Sequence, residues 1–239
     1  MSTLALVRHG QASFFADNYD QLSPLGEEQA RLLGDFWARY GERFDEVYVG
    51  PRVRQIETAA IAGQRLLAAG LPWPEAQMLP EFDEHQVDRL IKQTMTQVAI
   101  DYPDVGKLHA DYVAAELPHD KQRTFQLMFE RVVMMWVKGE VAAEGVEPWQ
   151  VFAQRVRDGL AKVLESERRG RRVAVFTSVG AVTVCLQACL GCDDRTALDL
   201  GWRVRNCSIT EFVFGRGRLT LEGFNALSHL NDPQLWTFR

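Results

Sequence analysis

The sequence predicts an α/β fold: a three-layer sandwich with a mostly parallel sheet flanked by helices and a helical cap insertion. Three observations predict it. Short apolar runs alternate with amphipathic stretches in the first third of the chain, and the same alternation resumes after residue 148. That order implies parallel strands joined by right-handed crossovers. Between the two blocks, from about Gln86 to Glu147, the chain reads as mostly helical, rich in Met, Trp and charged residues, with no convincing strand. The expected organisation is one domain over 1–239, with residues 86–147 as a helical cap over the C-terminal ends of the strands.

Leu4-Ala5-Leu6-Val7 is the first strand, apolar enough for a sheet covered on both faces. A polar, aromatic loop from Gln11 to Gln21 follows, and then Ser23-Pro24, an N-cap residue and a first-turn proline. Leu25, Gln29, Leu32, Leu33, Phe36 and Tyr40 recur at helical spacing, with Gly41 as the stop. Glu46–Val49 is the second strand, and a helix runs from about Arg52 to Ala69, ending before Gly70. In the cap, Met128, Phe129, Met134, Met135 and Trp136 form either a substrate-facing wall or, more commonly, a packing stripe. Pro148 to about Arg168 is amphipathic, Val173–Thr177 is another buried strand, and a helix spans about Gly180 to Leu190. The chain closes with a β-hairpin: Ser208–Phe214, a Gly215–Arg218 turn, and Leu219–Gly223.

Composition narrows the function classes. The net charge is −5, which argues against nucleic acid and anionic membranes as partners. The arginines at 168, 169, 171 and 172 read as a solvated helix end. No run approaches the roughly 20 apolar residues needed to span a bilayer, so a cytoplasmic location is the expectation. Cys185, Cys189, Cys192 and Cys207 fit a reducing compartment and read as small packed hydrophobes, not as zinc ligands. No cofactor or metal is expected. Oligomeric state is open, with the edge hairpin or the apolar cap as surfaces for a homodimer.

The chemistry concentrates in Val7-Arg8-His9-Gly10, at the C-terminal end of the first strand, where open α/β sheets bind ligands. Arginine supplies a fixed cation and a fork of donors, and histidine is a nucleophile near neutral pH. Gly10 permits a tight turn and close backbone approach. Alone, this tetrapeptide is equally compatible with a strand end whose Arg and His pair with nearby acids. A second cluster, Arg52 and Arg54, heads the second long helix. A helix N-terminus favours anions and disfavours arginine unless an anion or acid offsets it, so both are candidates for ligand contact. Pairing with Glu57 or Asp45 accounts for one of them more readily than for both.

Leu6–Gly10, Ser23-Pro24-Leu25-Gly26 heading a helix, Arg54 with Thr58-Ala59, Asn206–Thr210, and Asn225 through His229-Leu230 together resemble the histidine phosphatase superfamily, its phosphoglycerate mutase-like branch, over nearly the whole chain. The resemblance implies a phosphatase acting on a small phosphorylated molecule through a phosphohistidine on His9. It implies that Arg8 and Arg54 clamp the equatorial phosphate oxygens and stabilise a loose transition state. It also implies a carboxylic acid that protonates the leaving oxygen and then activates water; Leu79-Pro80-Glu81 matches the family's leucine–x–glutamate stretch and picks Glu81. Asp83 and Glu84 are neighbouring carboxylates, for at least one of which ordinary surface exposure suffices. His85, which follows Glu84, reads as a surface residue at a helix start or a pocket residue, and Phe14, Phe15 and the cap residues would set substrate choice.

One departure is serious. The family's second histidine, after the later strand, is replaced in Thr177-Ser178-Val179-Gly180 by Ser178. Serine donates one hydrogen bond to a phosphate oxygen but carries no charge, and losing one preorganised donor of this kind costs roughly 10²–10³ in rate. Two alternatives stand beside the phosphatase: mutase-type phosphoryl transfer with the same nucleophile, which the Ser178 change disfavours, and a phospholigand-binding protein with diminished turnover, for which Ser178 is the sole sequence support. His229 is expected to be structural.

Overall fold

The computed structural model describes residues 1–13, 20–165 and 168–238. The chain divides into two compact units: Met1–Glu84 with Arg155–Arg239, and His85–Gln154.

Among the described residues the first unit holds a six-stranded mixed sheet. Its strands are β1 (Ser2–Arg8), β2 (Glu46–Val49), β3 (Ala76–Met78), β4 (Arg172–Thr177), β5 (Ile209–Gly215) and β6 (Arg218–Ala226), in the order β3-β2-β4-β1-β5-β6. The pairs among β1, β2, β3 and β4 are parallel, and β5 and β6 add an antiparallel hairpin. Central β1 has neighbours on both edges, and its Leu4, Leu6 and Val7 are fully buried, which is why its sequence is apolar without alternation. The β4 register pairs Leu6 with Val175 and Arg8 with Thr177, so His9 and Ser178 leave the sheet at the same edge.

Helices α1 (Pro24–Arg39) and α2 (Val53–Ala68) pack one face. Leu33 and Trp37 of α1, with Ala59, Ala62 and Leu66 of α2, meet Ala5, Val7, Val47, Val49, Ala174 and Phe176. Ser23 Oγ caps α1 by accepting from the Gly26 N–H at 3.1 Å, and Pro24 fills the first helical position. Gly41, at φ 67°, follows the α1 end. Buried α7 (Val179–Leu190) begins at Ser178, packs on β1 and stops at left-handed Gly191. The hairpin turn carries positive φ at both central residues, Arg216 and Gly217, as tight hairpins require.

The second unit contains α3 (Val87–Asp101), α4 (Pro103–Ala114) and α5 (Pro118–Val137), and α6 (Trp149–Leu164) runs from it into the first unit. Met128, Phe129, Met135 and Trp136 are buried there, and Trp136 meets the Trp149 and Phe152 rings. That stripe is packing.

Three differences from the sequence reading have physical causes. β3 is exposed at all three residues and has no periodicity to announce it. The eight-residue α8 (Asp194–Gly201) is too short to show a long stripe, although Asp193 caps it by accepting from the Thr196 N–H. The arginine cluster is not a uniformly solvated helix end: Arg171 is only 2% exposed, bonds both carboxylate oxygens of Glu46 and donates to the Val163 carbonyl. Arg168 pairs with Asp45 and Arg172 with Glu42. The cysteines are free thiols, and burial pushes Cys185 up to about 12, which keeps it inert.

Candidate active site

His9 follows the last residue of β1, and its backbone is fixed on both sides. Its N–H donates to the Thr177 carbonyl at 2.9 Å, while its carbonyl accepts from the Cys207 N–H at 3.1 Å and the Asn206 side-chain amide at 3.3 Å. The next residue makes a close approach to the protein itself. A Cβ on Gly10 would stand 2.5 Å from the Gly26 carbonyl oxygen, so the glycine lets this loop lie against the start of α1. The Gly10 N–H donates to Thr58 Oγ1 at 3.0 Å, and that hydroxyl donates to the Arg54 carbonyl. The loop after β1 and the first turn of α2 are thereby joined.

The imidazole is 5% exposed, and its two nitrogens are differentiated. Nδ1 lies 2.7 Å from the Gly10 carbonyl oxygen, an acceptor, so Nδ1 carries the proton. Nε2 then presents its lone pair, which accepts from Arg54 Nε at 3.0 Å. Burial, and next the charges of Arg54 and Arg8, hold the imidazole well below its ordinary value against the opposing Gly10 hydrogen bond. His9 is neutral at physiological pH.

Arg54, also buried, donates through Nη1 to Asp20 Oδ1 at 2.8 Å. Asp20 Oδ2 accepts from the N–H of Val53, the first residue of α2, at 3.1 Å. Arg8 Nη1 donates to the Val204 carbonyl at 2.6 Å and its Nη2 to the Phe238 carbonyl at 2.5 Å. It bears on His9 as a fixed nearby charge. Arg52 forms a two-bond pair with Asp83, at 2.5 and 3.3 Å, a partner other than the Glu57 or Asp45 considered from sequence.

Ser178 is fully buried as the N-cap residue of α7, and its Oγ accepts from Gln55 Nε2 at 2.7 Å. Gln55 also reaches the Phe82 carbonyl at 3.4 Å and accepts from the Arg52 N–H at 3.1 Å, while Thr177 Oγ1 donates to Phe82 O at 3.0 Å. The neighbouring Glu81 is bonded to Lys162 of α6 at 2.5 Å. That ammonium holds the Glu81 carboxyl below the usual carboxylate range. Thus His9, Arg54 and Arg8 come together, and Ser178 stands beside them in strand register. Neither Ser178 nor Glu81 hydrogen-bonds His9 among the described residues.

Asp20, Gln55 and Lys162 had no role in the sequence reading. None of the three carries a local sequence sign: Gln55 reaches back to the N-cap N–H, but that N-cap is Arg52 and not the Ser, Thr, Asp or Asn that marks a capping box. His85 is half-buried and meets Trp136 and Phe152 edge-on, so it is a packing residue of the helical unit. His229 is 4% exposed beside Phe36, and burial lowers it to about 4. Phe14 and Phe15 lie outside the described residues.

The sequence matches the Histidine phosphatase superfamily (branch 1) over residues 4–137 and 133–227. A 2,3-bisphosphoglycerate-dependent phosphoglycerate mutase from Thermobifida fusca (strain YX) is 34% identical over 110 residues. That match spans 44% of this chain and 43% of the mutase, less than half the length of either. Among solved structures, YhfR of Bacillus stearothermophilus superposes with a TM-score of 0.63 at 16% identity, covering 96% of this chain and 99% of that one. A mycobacterial glucosyl-3-phosphoglycerate phosphatase gives 0.63 at 21%, covering 95% and 99%. A phosphoserine phosphatase from Entamoeba histolytica, in complex with 3-phosphoglyceric acid, gives 0.61 at 16%, covering 96% and 100%. The three structures share the fold, the family match takes in the strand ends that carry His9 and Ser178, and no helix among the described residues is long and apolar enough to cross a membrane. The chain belongs to the histidine phosphatase superfamily, branch 1.

Proposed function

We propose that the protein hydrolyses a small phosphate monoester through a phosphohistidine on His9. The observation that carries this reading is the differentiated imidazole: Nδ1 tied to the Gly10 carbonyl, Nε2 aimed at Arg54, and the ring neutral. Nε2 attacks phosphorus as the bond to the ester oxygen breaks, and the leaving oxygen takes a proton. Water then attacks phosphorus, loses its proton, and frees His9 as the P–N bond breaks. Arg8 and Arg54 contact the phosphoryl oxygens, and Ser178 contributes by heading α7, whose N-terminal N–H groups favour an anion. Glu81 is the acid and base of the scheme. Its Lys162 partner favours the ionised form, so activating water is the role it fills most readily.

Mutase-type transfer is the second reading, favoured by the Thermobifida mutase match over 110 residues. A panel of phosphate monoesters, assayed for released phosphate with His9→Ala as control, separates the two. Phosphate release lost in His9→Ala supports the hydrolase. Phosphoryl transfer between phosphoglycerates without release supports the mutase. Phosphate binding with no turnover of any ester would overturn both and leave a binding protein.

A further inference from the structure

We propose that Asp20 is a built-in competitor for the phosphoryl site: its carboxylate occupies the anion position between Arg54 and the start of α2, and phosphate binds by displacing it. The inference rests on the phosphohistidine reading of His9 and adds to it a residue that governs phosphate affinity and product release.

The two Asp20 oxygens meet two different donors. Oδ1 takes Arg54 Nη1 at 2.8 Å and Oδ2 takes the Val53 N–H at 3.1 Å. A guanidinium fork and a helix N-terminal N–H are the donors that a phosphate oxygen prefers. The same guanidinium places Nε 3.0 Å from His9 Nε2, the nitrogen that must face phosphorus. The site is thus satisfied by its own groups: a carboxylate on the arginine, and the arginine on the nucleophile's lone pair. A phosphoryl group that replaces the carboxylate gives Arg54 new acceptors and lets its Nε leave His9 Nε2, so one exchange prepares both clamp and nucleophile.

Accessibility indicates which partner moves. The Arg54 side chain is 8% exposed and the Asp20 side chain 28%. Asp20 is the more exposed of the two, so it is the partner that yields, while Arg54 stays enclosed. A carboxylate held on the same chain acts at high effective concentration, so it discourages weakly held anions and recaptures Arg54 when product phosphate departs.

The test is calorimetric titration of inorganic phosphate into the wild-type protein, Asp20→Asn and Asp20→Glu, with thermal melting as a folding check. Asparagine keeps an oxygen for the Val53 N–H and removes the charge. Asp20→Asn is expected to lower the phosphate Kd about tenfold, near the effect of one charge-assisted contact. Asp20→Glu, which keeps the charge, is expected to change it less. In turnover assays Asp20→Asn should lower KM and the phosphate inhibition constant together, with kcat moving less than KM. A residue that merely positions Arg54 would raise both constants. An unchanged or weaker phosphate Kd in Asp20→Asn, equal tightening in Asp20→Glu, or no phosphate binding by any of the three overturns the proposal. If esters are turned over in a His9-dependent way while the Kd is unmoved, only the Asp20 inference fails. If no ester is turned over but Asp20→Asn tightens phosphate, the hydrolase reading fails and the competitor stands.

Discussion

β1 and β4 lie side by side, parallel, with Arg8 in register with Thr177, and each delivers its next residue to the same edge of the sheet. They are equipped differently. At the end of β1 stand Arg8, His9 and Arg54, so charge and a lone pair are concentrated there. At the end of β4 stand Thr177 and Ser178, neutral hydroxyls bonded to the Phe82 carbonyl and the Gln55 amide. Strand geometry makes the two positions equivalent, while the side chains make the first charged and nucleophilic and the second neutral.

The largest effect should come from removing the nucleophile. His9→Ala is expected to lower kcat by at least about 10⁴-fold, since a nucleophile's loss removes the pathway and not one contact within it. Burst-phase labelling by a radioactive monoester should vanish with it. Persistent labelling of the variant would move the chemistry away from β1. Arg54→Ala comes next, at about 10²–10³-fold in kcat/KM, the usual loss for one preorganised donor to a developing charge. A loss below about tenfold would mean that Arg8, not Arg54, is the main phosphate clamp.

The charge on the β1 side also sets a pH signature. His9 has a folded-state pKa below its unfolded value, so the unfolded chain binds the proton first on acidification. This contribution to stability is fully present above the unfolded value near 6.5 and is lost as pH falls toward the lower folded value. His229, lowered to about 4 by burial, acts in the same direction between about 6.5 and 4. Ring signals of selectively labelled His9 should therefore stay at neutral-form shifts through pH 6.5 while the melting temperature declines below it. An ordinary His9 titration midpoint near 6.5 would contradict the desolvated, doubly flanked imidazole.

The β1 side was largely legible in the sequence, and the reasons are local. A continuous apolar run ending in Arg8-His9-Gly10 states both the strand and its position at a strand end, and Ser23-Pro24 marks α1 by capping chemistry that needs no tertiary partner. What the guanidiniums touch was not legible. Arg8 meets carbonyls 196 and 230 residues away in sequence, Arg52 finds Asp83, and Arg54 finds Asp20. These pairings are set by the order of strands in the sheet, which periodicity does not encode. Ser178 was legible as a departure, but its burial against Gln55 depends on α2 lying beside the start of α7.

Gln55 sharpens the comparison at an intermediate scale. It serves the Arg52 N–H, the Phe82 carbonyl and Ser178 Oγ at once, so Gln55→Leu leaves buried polar groups without their partner. The expected cost is about 1–3 kcal/mol of stability in a denaturant titration, with the slope unchanged. A loss of rate without a loss of stability would mean that Gln55 belongs to the chemistry.

Ser178 itself should matter least. Ser178→Ala removes one acceptor from Gln55, which retains the Phe82 carbonyl, so the expected cost is about 1 kcal/mol and less than about tenfold in kcat. The harder test is Ser178→His. Ser178 is fully enclosed, so an imidazole must displace the Gln55 amide, and overpacking of this kind costs typically about 1–3 kcal/mol. The histidine variant is therefore expected to melt earlier without gaining turnover. If kcat instead rises by about 10² or more, the β4 side is a chemical position that lost its donor, and the contrast between the two strand ends is one of residue choice and not of construction.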